Sequence, residues 1–175
     1  MKILSISFLA LSLLSCGHQT SKEKTNSRII QNDSIIKNTN NMNIKYAYTI
    51  LYVEDVKKTI EFYKKAFGFE IKFSTPENDY AELLSGETTL AFASVELGKS
   101  NFKKGFIESN IKEKPFGVNL AFTTENVEEL MEKAIKEGAV ILEEAIVKPW
   151  GQKVGYIKDI NGFLVEICTP ISTEK

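Results

Sequence analysis

One short pattern occurs twice in this chain, and this repeat constrains the fold more than any other feature. Residues 48–56 recur in pattern as residues 119–127, and each copy leads into a segment with the period of an amphipathic helix that ends at a glycine. A small unit repeated in this way predicts one domain built from two related modules. Each candidate site residue in one module therefore has a counterpart in the other.

The first residues predict a targeting segment rather than a part of the fold. Met1 and Lys2 give a positive start, and residues 3–14 form an apolar run that is too short to span a bilayer. The run ends in Leu13-Leu14-Ser15-Cys16, which resembles the lipobox of bacterial lipoproteins. This resemblance implies that residues 1–15 are a signal peptide and that an acylated Cys16 anchors the protein in the cell envelope, facing outside the cytoplasm. The alternative is an ordinary secretory signal with a chance cysteine.

Composition separates a tether from the folded part. Residues 16–43 are rich in Ser, Asn, Lys and Thr and carry few apolar residues, so we expect a flexible tether after the lipidated cysteine. Residues 44–175 form the predicted domain, with modules at about 44–94 and 116–172. In that domain Cys168 stands alone, so no intrachain disulfide can form there. The 22 basic and 23 acidic residues balance and are scattered, which argues against nucleic acid as a partner.

The residue pattern of each module predicts the order βαβββ, an α+β fold. In the first module we expect strands at 45–53, 69–74, 80–84 and 88–93, with a helix that Asp55 caps and Gly68 ends. In the second we expect strands at 118–123, 139–144, 153–158 and 163–168, and a helix that starts with a capping box of Asn126 and Glu129 and ends at Gly138. Residues 95–115 are predicted to be a cover or a module linker rather than packed structure.

Several ordered motifs cover essentially the whole predicted domain: Tyr52 to Val56, Glu61 to Phe69, Pro149 to Gln152 and Asp159 to Ile167. Together they resemble the vicinal oxygen chelate superfamily, which includes glyoxalase I, bleomycin-resistance proteins and extradiol dioxygenases. The resemblance implies that the two βαβββ modules pair into a cupped mixed sheet with helices on the outside. The cup of such a protein holds a metal ion or a small ligand. Relatives close it within one chain or across a homodimer, and the sequence leaves both arrangements open.

The resemblance also implies where metal ligands would stand: Tyr48, about Ala91, Asn119 and Glu166. Strand alternation independently turns Tyr48, Asn119 and Glu166 toward the cup. Glu166 is the one strong oxygen donor of the four, and the single histidine of the chain, His18, lies in the tether. We therefore expect neither a metal nor another cofactor, with a divalent metal site as the alternative.

Six side chains are the candidates for ligand binding, and each has a structural alternative. Glu166 either binds a ligand or accepts hydrogen bonds from Tyr48 or Asn119 and so locks the two modules together. The tyrosines are ligand platforms or core aromatics, and Trp150 lies in a loop where relatives place the rim of the pocket. The candidates are Tyr48, Tyr52, Asn119, Trp150, Tyr156 and Glu166.

These features favour a membrane-tethered domain that binds a small organic molecule without metal, of the bleomycin-resistance type, and no catalytic residue is assigned. The alternative is a glyoxalase-like, metal-dependent lyase or isomerase that uses Glu166, with lactoylglutathione-lyase-like or dioxygenase-like activity. A third hypothesis is a cup filled by its own side chains, in a protein whose surface serves protein contacts. The expected partners are a small ligand and the membrane, and a homodimer is left open.

Overall fold

The computed structural model describes residues 44–171, and its elements lie in a compact unit that begins at Lys45. The predicted signal peptide, the lipidation site at Cys16 and the tether fall outside the described residues. Between residues 44 and 171 there is no helix with the length and apolar character needed to cross a membrane.

The first module has the predicted order of elements. Its parts are β1 (Thr49–Val53), α1 (Val56–Phe67), β2 (Glu70–Ser74), β3 (Tyr80–Ser85) and β4 (Thr88–Ser94). The sheet runs in the order β1-β4-β3-β2, with β1 parallel to β4 and the other pairs antiparallel. Asp55 caps α1 by accepting a 2.9 Å bond from the amide of Lys58, and Gly68 ends the helix in the left-handed conformation, as predicted.

The second module repeats this architecture after an additional helix, α2 (Val95–Asn101). Its parts are β5 (Asn119–Thr123), α3 (Val127–Lys136), β6 (Val140–Val147), β7 (Lys153–Lys158) and β8 (Leu164–Cys168), with the sheet order β5-β8-β7-β6. The predicted α+β fold with two βαβββ modules is confirmed. The predicted capping box is wrong, because the side chain of Asn126 makes no capping bond. Instead the backbone N–H of Asn126 donates to the hydroxyl of Thr124 at 3.2 Å.

One hydrophobic core joins the two modules. It lies between the helix-facing sides of the two sheets, where α1 packs against α3. Fully buried side chains from both modules contribute to it, among them Tyr63, Leu83, Phe92, Val127 and Ile167. Each large apolar side chain buried there stabilises the fold by roughly 1.5–3 kcal/mol. No ladder joins a strand of one sheet to a strand of the other within residues 44–171, so the modules are held together by this core.

The connection between the modules is packed against β1. Ser94 caps α2 by accepting a 3.1 Å bond from the amide of Leu97. Beyond the helix, the ring of Phe106 stacks on Tyr52 with 4.6 Å between centroids and 24° between planes. Residues 102–116, which we call the cover segment, therefore lie over the end of β1. The expectation of a connection without packed structure is wrong for α2.

Candidate functional site

The open face of each sheet is the side turned away from α1 and α3. In β1, Leu51 and Val53 are buried in the core, which leaves Ile50 and Tyr52 on the open face with Tyr48. In β5, Asn119 is exposed whereas Leu120 packs against the core. The strand orientation predicted from alternation is confirmed for both strands.

On the open face of the second module, three predicted residues form one polar cluster, which we call the Glu166 site. The side-chain amide of Asn119 donates a 2.7 Å hydrogen bond to Glu166. Tyr156 stands directly opposite Glu166 on the neighbouring strand β7. Burial raises the pKa of the Tyr156 phenol, and the charge of the Glu166 carboxylate raises it further. The site thus presents a carboxylate beside a phenol that stays protonated at neutral pH.

Glu166 has one of the two partners expected for a structural role, but it does not lock the modules. Asn119 and Tyr156 belong to the same module as Glu166, so their contacts stay within one sheet. Cys168, two residues further along β8, is buried and not in a disulfide. Burial raises the pKa of its thiol, as does the nearby Glu166, which fits the expectation of an unreactive core cysteine.

The open face of the first module carries a second polar cluster that the sequence reasoning missed. Glu82 on β3 accepts a 2.9 Å bond from the phenol of Tyr80 and forms a 2.7 Å ion pair with Lys72. The hydrogen bond from Lys72 lowers the pKa of Glu82. Burial raises the pKa of Tyr80, followed by its bond to Glu82 and, with smaller effect, by Tyr48. The alternation of residues 80–84 was the signal, because it places Tyr80 and Glu82 on the same face as Tyr48.

The remaining candidates lie away from the Glu166 site. Tyr48 immediately precedes β1 of the other sheet and lies beside Tyr80. Tyr52 is covered by Phe106. Trp150 is 66% exposed in the loop between β6 and β7, where its indole N–H donates to Gln152 at 2.9 Å. The structure therefore brings together Asn119, Tyr156 and Glu166, and it does not bring the other three to them.

The donors at the four implied metal positions do not fit a divalent cation. Ala91 offers a methyl group, and Asn119 offers only a neutral amide oxygen, its side-chain N–H being bonded to Glu166. Glu82 lies opposite Ala91 on β3, but its two oxygens are bonded to Tyr80 and Lys72. In the part of the chain that the structure describes, no three His, Cys, Asp or Glu side chains are grouped to hold a metal ion. Of the four positions, only Glu166 offers a charged oxygen, and one carboxylate does not normally hold such an ion against water.

Comparison with known proteins agrees with this architecture. Residues 45–167 match the family model described as Glyoxalase/Bleomycin resistance protein/Dioxygenase superfamily. The chain is 29% identical over 133 residues to lactoylglutathione lyase GLX1 of Arabidopsis thaliana, an alignment that covers 71% of this chain and 44% of that protein. The chain thus spans less than half the length of this curated relative.

Solved structures share the fold at low sequence identity. A glyoxalase-related enzyme from Fulvimarina pelagi has a TM-score of 0.62 at 23% identity, covering 72% of this chain and 88% of that one. A hypothetical protein from S. aureus has a TM-score of 0.62 at 22% identity, covering 73% and 94%. These similarities support the two-module fold.

Proposed function

Because this chain belongs to the glyoxalase/bleomycin resistance protein/dioxygenase superfamily, we propose that its domain binds a small organic molecule at the Glu166 site, without a metal ion. The observation that carries the proposal is the carboxylate of Glu166 on an open face, oriented by Asn119 at 2.7 Å. A carboxylate offers about four acceptor positions, and Asn119 takes one of them. The other positions suit an ammonium or hydroxyl group of a ligand, with Tyr156 beside it.

We also propose that two copies of the chain pair, so that the open face of one first module meets that of the partner's second module. Three observations support this arrangement. The polar clusters around Glu82 and Glu166 lie on separate sheets, and both sheets leave part of their open faces accessible, with Tyr48 41% exposed. Edge strand β6 exposes Val140, Ile141, Ile146 and Val147. Pairing would cover this apolar surface and enclose the ligand.

The location that we propose is the cell envelope, with the domain anchored by an acylated Cys16 and facing outside the cytoplasm. Support comes from the tetrapeptide that ends at Cys16 and from the polar residues that follow it. One acyl chain gives only marginal attachment, so stable anchoring requires more than one. Cys16→Ala should release the protein from membranes, and continued acyl labelling of that variant would contradict the proposal.

Two measurements on the purified full chain test the proposed site. Metal content is measured by mass spectrometry after incubation with nickel, zinc, manganese or ferrous iron and desalting, and it should stay far below one ion per chain. A screen of small amines and alcohols by ligand-detected NMR should give binders that Glu166→Gln weakens by about tenfold or more with little change in melting temperature. Stoichiometric metal would overturn the metal-free proposal. A large loss of stability in Glu166→Gln would assign Glu166 to structure instead.

A metal-dependent lyase or isomerase is the second candidate function. Two curated relatives favour it, since both are named lactoylglutathione lyases, the second from Brassica oleracea var. gemmifera. Each alignment covers less than half of the relative, 44% and 43%. Lactoylglutathione lyase activity measured with and without added metals distinguishes the two functions. Metal-dependent turnover that Glu166→Gln abolishes would favour the enzyme.

A further inference from the structure

A second, separate hollow of about 300 Å³ lies between β1 and the cover segment. It is mostly apolar and is closed on one side by a residue of the second module. Asn119, Tyr156 and Glu166 do not line it, so it is distinct from the Glu166 site. Among the side chains that line it are Ile50, Tyr52, Phe102, Ser109, Phe116 and Phe163.

One wall of the hollow is fixed before any ligand arrives. The ring of Tyr52 stacks on Phe106, and both rings lie against Gly98 of α2. A Cβ at Gly98 would stand 2.6 Å from Cδ1 of Tyr52, so only glycine allows this ring to lie against the helix. A preformed aromatic wall binds a flat molecule at low cost in side-chain entropy.

One residue of the wall, Ser109, carries a polar group without a partner. The hydroxyl oxygen of Ser109 is buried and makes no hydrogen bond within residues 44–171. A buried hydroxyl left in this state costs about 1–3 kcal/mol. Around it, Phe102 and Ile107 are 51% and 79% exposed, so apolar surface at the same place faces water. A ligand that covers the apolar side chains and bonds to Ser109 would relieve both costs.

We infer that this hollow binds a small aromatic molecule that carries one hydrogen-bonding group, with the ring between Ile50, Phe102 and Phe116 and the polar group at Ser109. Its volume is at the lower end of the range for small-molecule pockets, which favours a compact one-ring or two-ring compound. A single buried hydroxyl among apolar walls selects one polar group rather than several, because each further polar group would be left unpaired.

The test uses the full chain and two probes of nearly equal shape, 2-naphthol and 2-methylnaphthalene. Binding is followed by NMR of isoleucine methyl groups, and both probes should shift Ile50 and Ile107 in a saturable manner. 2-Naphthol should bind more tightly, and Ser109→Ala should reduce its advantage by about three- to tenfold with no loss of melting temperature. Ser100→Ala is the matched control, since this hydroxyl lies on α2 outside the hollow and should leave both affinities unchanged.

Two further variants keep the inference falsifiable. Ile50→Trp fills the hollow and should abolish binding of both probes, and Phe102→Ala removes an exposed wall and should weaken both in a chain that still melts cooperatively. Glu166→Gln should leave both probes unaffected, so a failure here is separable from a failure of the proposed function. Probe shifts at Ile146 in place of Ile50 and Ile107 would overturn the inference. The inference would also be overturned if 2-naphthol kept its full advantage in affinity over 2-methylnaphthalene in Ser109→Ala.

Discussion

The phenol of Tyr63 donates a 2.9 Å hydrogen bond to the carboxylate of Asp159, and both side chains are fully buried. Tyr63 lies on α1 of the first module, whereas Asp159 lies in the turn between β7 and β8 of the second. Beside this pair, the side-chain amide of Asn161 donates to the hydroxyl of Thr59 at 3.1 Å. The polar contact that locks the modules is therefore in the core, not at Glu166.

We predict that Tyr63→Phe destabilises the domain by about 1–3 kcal/mol, because it leaves a buried carboxylate with one partner fewer. Urea unfolding followed by circular dichroism measures the change. Tyr46→Phe is the matched control, since Tyr46 is 79% exposed and its change should stay within about 0.5 kcal/mol. Equal stability of Tyr63→Phe and the unmodified chain would show that the buried hydrogen bond does not hold the modules together.

Asp159 predicts a pH dependence of stability with a defined sign. Burial raises its pKa above the ordinary value of 3.8, although backbone bonds from Phe163 and Asn161 and the phenol of Tyr63 oppose the shift. The protonated form is thus favoured by folding. The contribution of protonated Asp159 to the free energy of unfolding is complete below about pH 4. It is lost as the pH rises through the raised pKa of Asp159 in the folded state.

Asp159→Asn isolates this effect, because asparagine does not titrate and has nearly the same shape. The free energy of unfolding of the unmodified chain minus that of the variant should fall as the pH rises above 4, by at most about 1.4 kcal/mol per pH unit, and then level off. Urea unfolding at half-unit steps of pH gives this difference. A difference that increases over the same interval would mean that the carboxylate is favoured in the fold.

Local sequence signals predicted the order of the elements, because strand alternation, Asp55 and Gly68 act over a few residues. The Tyr63–Asp159 contact joins positions 96 residues apart, and Tyr63 fits the apolar face of its helix, so nothing local identifies it as a donor. The Asn126 prediction failed for a different, local reason. The capping-box motif is present, but the hydroxyl of Thr124 receives the Asn126 amide and the asparagine side chain makes no capping bond.

The cover segment approaches the second module closely at Gly162. It adopts a φ of +95°, and an added Cβ would stand 2.4 Å from the backbone carbonyl of Asn110, which cannot swing aside as a side chain can. Gly86 has a φ of +58° with nothing within 4 Å. Gly86→Ala should cost about 1–2 kcal/mol for the backbone conformation alone. Gly162→Ala should cost about 1–3 kcal/mol more, because of the clash.

Thermal or urea unfolding of both variants tests this difference. Gly162→Ala should also increase proteolytic cleavage in the cover segment, at Lys103 and Lys104, since the displaced backbone of Asn110 frees that segment from the core. Gly86→Ala lies in the β3–β4 turn and should leave this cleavage unchanged. Equal destabilisation by the two substitutions would contradict the close approach of Asn110 to Gly162.

The proposed pairing of two chains predicts that damaged chains can complement each other. Tyr48→Ala damages the open face of the first module, and Glu166→Gln damages the open face of the second module. Each variant alone should therefore bind a ligand of the Glu166 site weakly. In a heterodimer of the two, both lesions fall in one cup and the other cup is intact. Refolding an equal mixture should therefore restore about a quarter of the cups, since half of the dimers are mixed.

The mixture is compared with each variant refolded alone, and sedimentation measures the dimer fraction in all three samples. In a two-fold symmetric dimer, the two modules of one chain belong to different cups. The intact cup of a mixed dimer should therefore bind with the affinity of the unmodified protein rather than with an intermediate affinity. Mixed dimers that recover no binding would place each cup within a single chain. Monomers that still bind the ligand with full affinity would contradict the pairing altogether, because neither open face would then need a partner.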